Sequence, residues 1–372
     1  MKFSPQQDDA LKAVTTWMES GEDPVFRLFG YAGTGKTTLA RHIAEGIEGE
    51  VLFGAFTGKA AQVLREKGAK NARTIHSMIY RPKVRDDDED EDDEKGDSPE
   101  FTINRASPAS TARLIIIDEC SMVDEALGRD LLSFGAPILV LGDPGQLPPV
   151  SGGGFFTEAE PDVLLTDIHR QAKDNPIVRM ASQVRAGETL EPGDYGSSRV
   201  ISKRDLETEE VEAADQVLVG INRTRARYNT RLRELAGYEG TEPVAGDRLV
   251  CLRNNAKKGF LNGSLWDVTH AAKPKGPAMT LLVRSADETT KGTVKAKVLR
   301  DAFTGEAGDV PWRVQRNYDA FDYGYALTVH KAQGSQWDDV VLFDESFAFK
   351  EHRTQWLYTA ITRAAKRVTV VR

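Results

Sequence analysis

Cysteine is scarce: the 372 residues hold only Cys120 and Cys251. Neither sits in a Cys-x-x-Cys pair or a Cys/His cluster with ligand spacing, which excludes a disulfide framework, a structural zinc site and a dithiol redox centre. Long apolar runs are also missing. None approaches the roughly 18 residues a bilayer-spanning helix requires, and the opening Met-Lys-Phe-Ser-Pro-Gln-Gln-Asp lacks the apolar core of a signal peptide. No membrane partner is expected, and the expected compartment is the cytoplasm. No period of some 20 to 50 residues recurs, which sets solenoids and propellers aside.

A basic excess is lacking as well, since 57 acidic residues outnumber 49 basic ones for a formal charge of -8. Taken alone, this total argues against a polyanionic partner. However, Asp86 to Glu94 is an unbroken run of nine acids; without it, 48 acids face 49 basic residues, a net charge of +1. The basic residues are unevenly spread: Arg223, Arg225, Arg227, Arg231 and Arg233 crowd one stretch, followed by Lys257, Lys258, Lys273 and Lys275. These are either a solvated face or the footprint of a phosphate backbone.

What is present is an alternation of buried strands and helices. Short apolar runs suited to parallel strands occur at Val25 to Phe29, Val51 to Phe56, Leu114 to Ile117, Ile138 to Leu141, Gln216 to Gly220, Val340 to Phe343 and Val368 to Val371. Helical patterns such as Thr37 to Ile47 and Lys59 to Lys67 separate several of them. This is the signature of α/β layers. Two stretches interrupt it. Tyr80 to Ser110 holds the acid run and suggests a hairpin with arms Pro82 to Arg85 and Phe101 to Arg105. Val244 to Gly308 suggests a small β insert with strands at Arg248 to Arg253, Ser264 to Thr269 and Thr280 to Arg284. The expected domains are a first lobe of residues 1–79 and 111–160 with the hairpin at 80–110, and a second lobe of 161–243 and 309–372 with the β insert at 244–308.

Gly30-Tyr-Ala-Gly-Thr-Gly-Lys-Thr37 is a complete G-x-x-x-x-G-K-[ST] between an expected strand and an expected helix. Gly30, Gly33 and Gly35 let successive backbone N–H groups turn toward phosphates. Lys36 reaches the β and γ oxygens, Thr37 offers a hydroxyl to Mg²⁺, and Thr34 and Thr38 complete the loop and helix start. Hydrolysis needs more than a cradle. Leu114-Ile-Ile-Ile-Asp-Glu119 places Asp118 as a metal-side carboxylate and Glu119 as the group that polarises water. Ile138 to Val150 ends a strand in a proline-stiffened turn carrying Gln146, either an ordinary turn or a sensor of the γ-phosphate.

In order along the chain, Phe3 to Ala10, Gly30 to Thr38, Ala55 to Ala61, Thr74-Ile-His76, Asp118 to Met122, Gly142 to Val150, His169-Arg-Gln171, Tyr325 to Ser335 and Leu357 to Ala364 resemble the motifs of superfamily 1 helicases, most of all the RecD/Dda-like branch. The resemblance implies two RecA-like P-loop lobes with ATP between them, a small hairpin insert in lobe one and an SH3-like insert in lobe two. It implies that Gln7 reads the adenine edge and that Arg170 and Arg363 reach the γ-phosphate from lobe two. It places Thr57, Lys59 and His76 of lobe one, and Thr328, His330 and Lys331 of lobe two, against a single-stranded backbone. It also implies ATP and Mg²⁺ as cofactors, single-stranded DNA and single/double-strand junctions as partners, possible replication or recombination partner proteins, a monomeric motor and 5′-to-3′ movement. A phage-encoded member would work in the host cytoplasm.

Three positions depart from the family pattern. Phe56 stands where relatives commonly carry Pro, Gln336 where many carry Glu, and the acid run occupies the hairpin tip, where nine carboxylates would repel DNA. Phe101 is then either a core residue or a wedge. An RNA helicase or remodeller using the same motor, and a helicase-like scaffold without turnover, stay open as alternatives.

Overall fold

The structure is a computed structural model, and it describes residues 3–82, 101–148, 154–168, 174–255, 257–274, 276–286, 292–304 and 310–372. The acid run and Arg170 therefore lie outside the described residues.

Two six-stranded sheets organise the chain. The first uses Val25–Gly30 (β1), Val51–Ala55 (β2), Arg73–Thr74 (β3), Leu114–Asp118 (β6), Ile138–Gly142 (β7) and Val163–Leu165 (β8) in the order β3-β2-β6-β7-β1-β8, with every pairing parallel. Its central strands are buried along nearly their whole length because helices cover both faces, which is why they read as unbroken apolar runs. Two apolar clusters lie on its two faces, one around Leu28, Leu39, Ile116 and Leu141, the other around Phe29, Ile75, Ile117 and Phe156.

The second sheet uses Gly193–Tyr195 (β9), Ser198–Ile201 (β10), Gln216–Val219 (β11), Ala326–Thr328 (β17), Trp337–Phe343 (β18) and Ala364–Val371 (β19) in the order β17-β11-β18-β19-β10-β9. It is parallel except for the β9 edge. Between β11 and β17 the chain builds an antiparallel five-stranded sheet of Arg248–Cys251 (β12), Leu265–Ala271 (β13), Ala278–Ser285 (β14), Thr293–Leu299 (β15) and Phe321–Tyr323 (β16), ordered β15-β14-β13-β12-β16. Its core is a T-shaped aromatic cluster in which Phe260 meets Trp266 and Phe321. A two-stranded antiparallel ribbon, Tyr80–Pro82 (β4) with Phe101–Ile103 (β5), stands off the first sheet.

The sequence boundaries shift in three places. The first sheet extends past residue 160, because β8 adds to β1 through Leu28↔Val163 to Gly30↔Leu165. The small sheet extends past residue 308, because β16 closes against β12 and then runs through Gly324 and Tyr325 straight into β17. The first ribbon arm begins at Tyr80, two residues ahead of the expected Pro82, and residues 83–85 of the expected arm lie outside the described residues. Short segments of three residues leave too little periodicity to be read before their partners are known.

Candidate nucleotide site and strand track

The helix Pro5–Ser20 begins with a capping box: Gln7 N–H donates to Ser4 Oγ at 3.2 Å, and Ser4 N–H donates to Gln7 Oε1 at 3.1 Å. Gln7 is buried, and its Nε2 donates to the Thr34 carbonyl at 3.0 Å. The cap thus sets Gln7 against the phosphate loop, with both ends of its amide engaged. Gln6 anchors the segment beyond β8 by accepting from Thr166 N and Asp167 N at 2.8 and 2.9 Å.

Gly33 and Gly35 sit at φ 82° and 81°, a region open to glycine without steric cost. They curl the chain into the helix Lys36–Glu45, whose N-cap Gly35 offers no side-chain acceptor, so its first N–H groups stay open to an anion. Lys36 Nζ donates to the Gly30 carbonyl and, at 3.2 Å, to that of Tyr31, and stands 4.0 Å from Asp143 Oδ2.

The parallel pairing of β2, β6 and β7 brings Asp118 beside Thr37, whose hydroxyl donates to Asp118 Oδ2 at 3.2 Å. Asp118 Oδ1 accepts from Glu119 N at 2.9 Å. Burial, then the Glu119 charge, pushes the Asp118 pKa up, with Lys36 opposing. Burial also raises Asp143, with Lys36 and Tyr358 opposing. Glu119 adopts φ 53°, ψ 47°, the left-handed region that costs a non-glycine residue about 1–2 kcal/mol. This strained residue stands next to a buried acid at a strand end.

These groups line a cavity of about 130 Å³ together with Lys67, Gln146 and, from the second half of the chain, Gly334. Gln146 Oε1 is buried there without a partner. A hydroxyl, a carboxylate with raised pKa and an orphaned amide oxygen form a hard oxygen set that fits Mg²⁺, which takes few protein ligands and keeps its waters. Among the described residues, no cluster of three or more His, Cys, Asp or Glu could hold a metal.

The second half of the chain closes on this cavity through the helix Arg353–Ile361 and the turn after β17. Tyr358 Oη donates to Asp143 Oδ2 and accepts from Ala32 N, both at 2.8 Å. Leu147 N–H donates to Thr359 Oγ1 at 2.8 Å, its carbonyl accepts from Gln333 Nε2 at 3.2 Å, and its side chain is buried in the apolar cluster of Ile177, Met180 and Trp356. Arg363 is buried. It donates to the carbonyls of Thr359 and Ser335 and to Thr362 Oγ1 at 3.1–3.3 Å, behind the cavity-lining Gly334. Lys36 lines the cavity, whereas Arg363 does not and is joined to it only through its bond to Ser335, the neighbour of Gly334. Asp143, Tyr358 and Thr359 were not singled out from the sequence, although Asp143 ends a buried apolar strand just as Asp118 does.

The expected strand-contacting residues divide. His76 is exposed between the rings of Phe56 and Tyr80, at centroid distances of 6.1 and 5.6 Å; desolvation by its neighbours lowers its pKa, with Asp124 opposing. Tyr80 continues to Phe101 at 6.4 Å, and Phe101 is 54% exposed, so core packing is not its role. Thr57 caps the helix Gly58–Glu66 by accepting from Ala60 N at 3.1 Å. Lys59 is buried rather than presented at the surface. Gly58 before it faces the small sheet's loop, where a side chain would strike Leu261 and Asn254.

In the second half, Thr328 is also buried, and its Oγ1 accepts from Lys331 N at 3.3 Å. His330 is half-buried against Phe349, and burial lowers its pKa. Lys331 is exposed, and desolvation followed by the charge of Arg225 lowers its pKa, with Asp322 opposing. The turn that follows lies against lobe one, since a side chain on Gly334 would meet Ala60 and Thr57.

Fold and site together define a P-loop α/β protein whose phosphate cradle lies against a second parallel sheet domain. Residues 2–201 match the family described as AAA domain, and residues 323–371 match the UvrD-like helicase C-terminal domain. An ATP-dependent RecD2 DNA helicase of Deinococcus radiodurans is 30% identical over 91% of this chain and 46% of its own length. A RecBCD enzyme subunit RecD of Mycobacterium tuberculosis is 27% identical over 92% of this chain and 66% of its own length. The chain therefore spans about half to two thirds of these curated relatives. Among solved structures, Pif1 helicase in a study of forked double-stranded DNA superposes with a TM-score of 0.60 at 18% identity, covering 99% of this chain and 92% of that one, a likeness of fold. The chain belongs to the family of that AAA-domain model, which covers more than half of it, and near its end it is similar to the UvrD-like helicase C-terminal domain.

Proposed function

We propose that this chain is an ATP- and Mg²⁺-dependent DNA helicase and single-strand translocase, moving 5′ to 3′. The two parallel sheets act as RecA-like lobes, and the antiparallel sheet acts as an SH3-like insert. The observation that carries this reading is the single cavity where Lys36, Asp118, Glu119 and Gln146 of one lobe meet Gly334 of the other.

In this reading the open N–H groups around Gly33 to Thr38 hold the phosphates and Gln7 borders the base. Thr37 and Asp118 would hold Mg²⁺, which neutralises charge on the phosphoryl oxygens. Glu119 polarises the attacking water and takes its proton, and Gln146 senses the γ-phosphate. Arg363 leaves its carbonyl partners to stabilise charge on the transferring phosphoryl group, with Arg170 assigned the same task by resemblance. Thr57, Lys59, His76, Thr328, His330 and Lys331 grip single-stranded DNA and its junction with duplex. Lys59 and Thr328 reach the strand only after the lobes part from their present contacts. Closure and release at the crevice move the two grips alternately.

The test is a duplex with a 5′ or 3′ tail, in DNA and in RNA, with and without ATP. The expected outcome is ATP-dependent unwinding of the 5′-tailed DNA substrate, with Lys36→Ala inactive in both unwinding and hydrolysis. Unwinding of RNA alone, or binding of DNA without turnover by the wild type, would overturn it.

A further inference from the structure

The start of the phosphate loop is gripped by lobe two at two neighbouring residues. Arg185, at the end of the helix Pro176–Arg185, lays its guanidinium 3.6 Å from the centre of the Tyr31 ring. Tyr358 takes the next residue, accepting from Ala32 N, while its own proton goes to Asp143 Oδ2. A phenol oxygen has one proton to give, and here it donates and accepts at once. Burial, followed by the charge of Asp143, pushes the phenol pKa up, so the proton stays available to donate. The ring packs so closely on the turn after β7 that a side chain on Gly145 would come within 3.0 Å of Tyr358 Cε1.

The acceptor Asp143 stands 4.0 Å from Lys36 Nζ. One hydroxyl of lobe two thus touches a backbone amide of the cradle and, through one carboxylate, the lysine that faces the phosphates. The next residue, Thr359, holds Leu147, and Arg363 lies one helical turn beyond. Any rotation of the helix Arg353–Ile361 that swings Arg363 must also pull on Ala32 and Asp143. A hydrogen-bonded pair of 2.8 Å contacts transmits displacement as a rigid link, whereas apolar packing would let the surfaces slide.

We propose that Tyr358 is a positioning residue that sets the phosphate loop through Ala32 and Lys36 through Asp143, tying the geometry of the cradle to the position of the helix that leads into Arg363. This rests on the ATP-hydrolysis reading above. Tyr358→Phe removes the hydroxyl and keeps the ring against Gly145. With the full chain and saturating single-stranded DNA, the variant is expected to lose about tenfold or more in kcat, as a misplaced reacting group does. KM for ATP and affinity for DNA should stay near wild type, and the ratio of DNA-stimulated to basal hydrolysis should fall. Hydrogen exchange across Tyr31 to Gly35 should quicken in the same variant.

A fall in melting temperature with kcat and stimulation ratio unchanged would reduce the hydroxyl to a structural contact and overturn the proposal. If the wild type shows no hydrolysis stimulated by DNA, the functional reading falls instead. Exchange then still decides the contact, since unaltered exchange at Tyr31 to Gly35 overturns it and faster exchange supports it.

Discussion

At the scale of single residues, the informative groups are those whose environment opposes their charge. Asp118 is a buried carboxylate whose pKa stands above 3.8 because water is excluded and Glu119 is adjacent. The folded chain keeps a proton that the unfolded chain has already lost. Stability from this group therefore falls as pH rises from 3.8 through the raised value, and the cost persists at neutral pH. Asp118→Asn keeps a group that can bond both Thr37 and Glu119 N, and it removes the charge. The variant is expected to melt higher than wild type at neutral pH, by roughly 2–4 °C per kcal/mol relieved, with the gain shrinking in acid. Calorimetry across pH checks this. The same variant should lose ATP hydrolysis by about a hundredfold or more, since the carboxylate that would hold Mg²⁺ is gone. Arg363 is satisfied by Thr359, Ser335 and Thr362 and touches no group of the cradle directly. Arg363→Ala is therefore expected to leave nucleotide affinity unchanged while turnover drops about a thousandfold, as equilibrium binding and steady-state hydrolysis would show together.

At the scale of elements, the turn after β7 couples the lobes. Its Gln146 faces the cavity while the next side chain, Leu147, fills a hole in the apolar cluster of lobe two and both its backbone groups are bonded there. Leu147→Ala leaves that hole empty and is expected to cost about 2–5 kcal/mol in urea unfolding, since a buried leucine loses its transfer energy and leaves a cavity. Turnover should fall with it. The strand before this turn and its neighbour were legible in the sequence: Ile138 to Leu141 and Leu114 to Ile117 are the short apolar runs expected of parallel strands covered on both faces. Arg73–Thr74, Val163–Leu165 and Phe321–Tyr323 were not legible as strands, because each is only two or three residues long and becomes a strand by pairing with a partner far along the chain.

At the scale of the whole molecule, the near-neutral balance outside the acid run matters for what the surface can hold. Of the residues assigned to the strand, only Lys59 and Lys331 carry charge at neutral pH, so a strand lying across both lobes would have few phosphates neutralised. His76 and His330, with lowered pKa values, are neutral at pH 7, so single-strand affinity is expected to fall about sevenfold over a roughly fourfold rise in salt, the slope of two phosphate contacts, from Lys59 and Lys331, at about 0.7 each. Fluorescence anisotropy over a salt series measures it, and a flat response would point to a partner held by other forces.

The sequence by itself determined the α/β layering, the phosphate loop and its acid partner. These depend on neighbours within a few positions: apolar runs that need cover on both faces, and glycines that admit φ near 80° just before a helix. Tertiary structure alone decided that Tyr358 would bond a carboxylate 215 positions away, that Leu147 would lodge in the other lobe, and that Lys59 would be covered. Those outcomes depend on how two separately covered sheets dock, and docking is set by surface shape and by pairs of polar groups that no local pattern brings together.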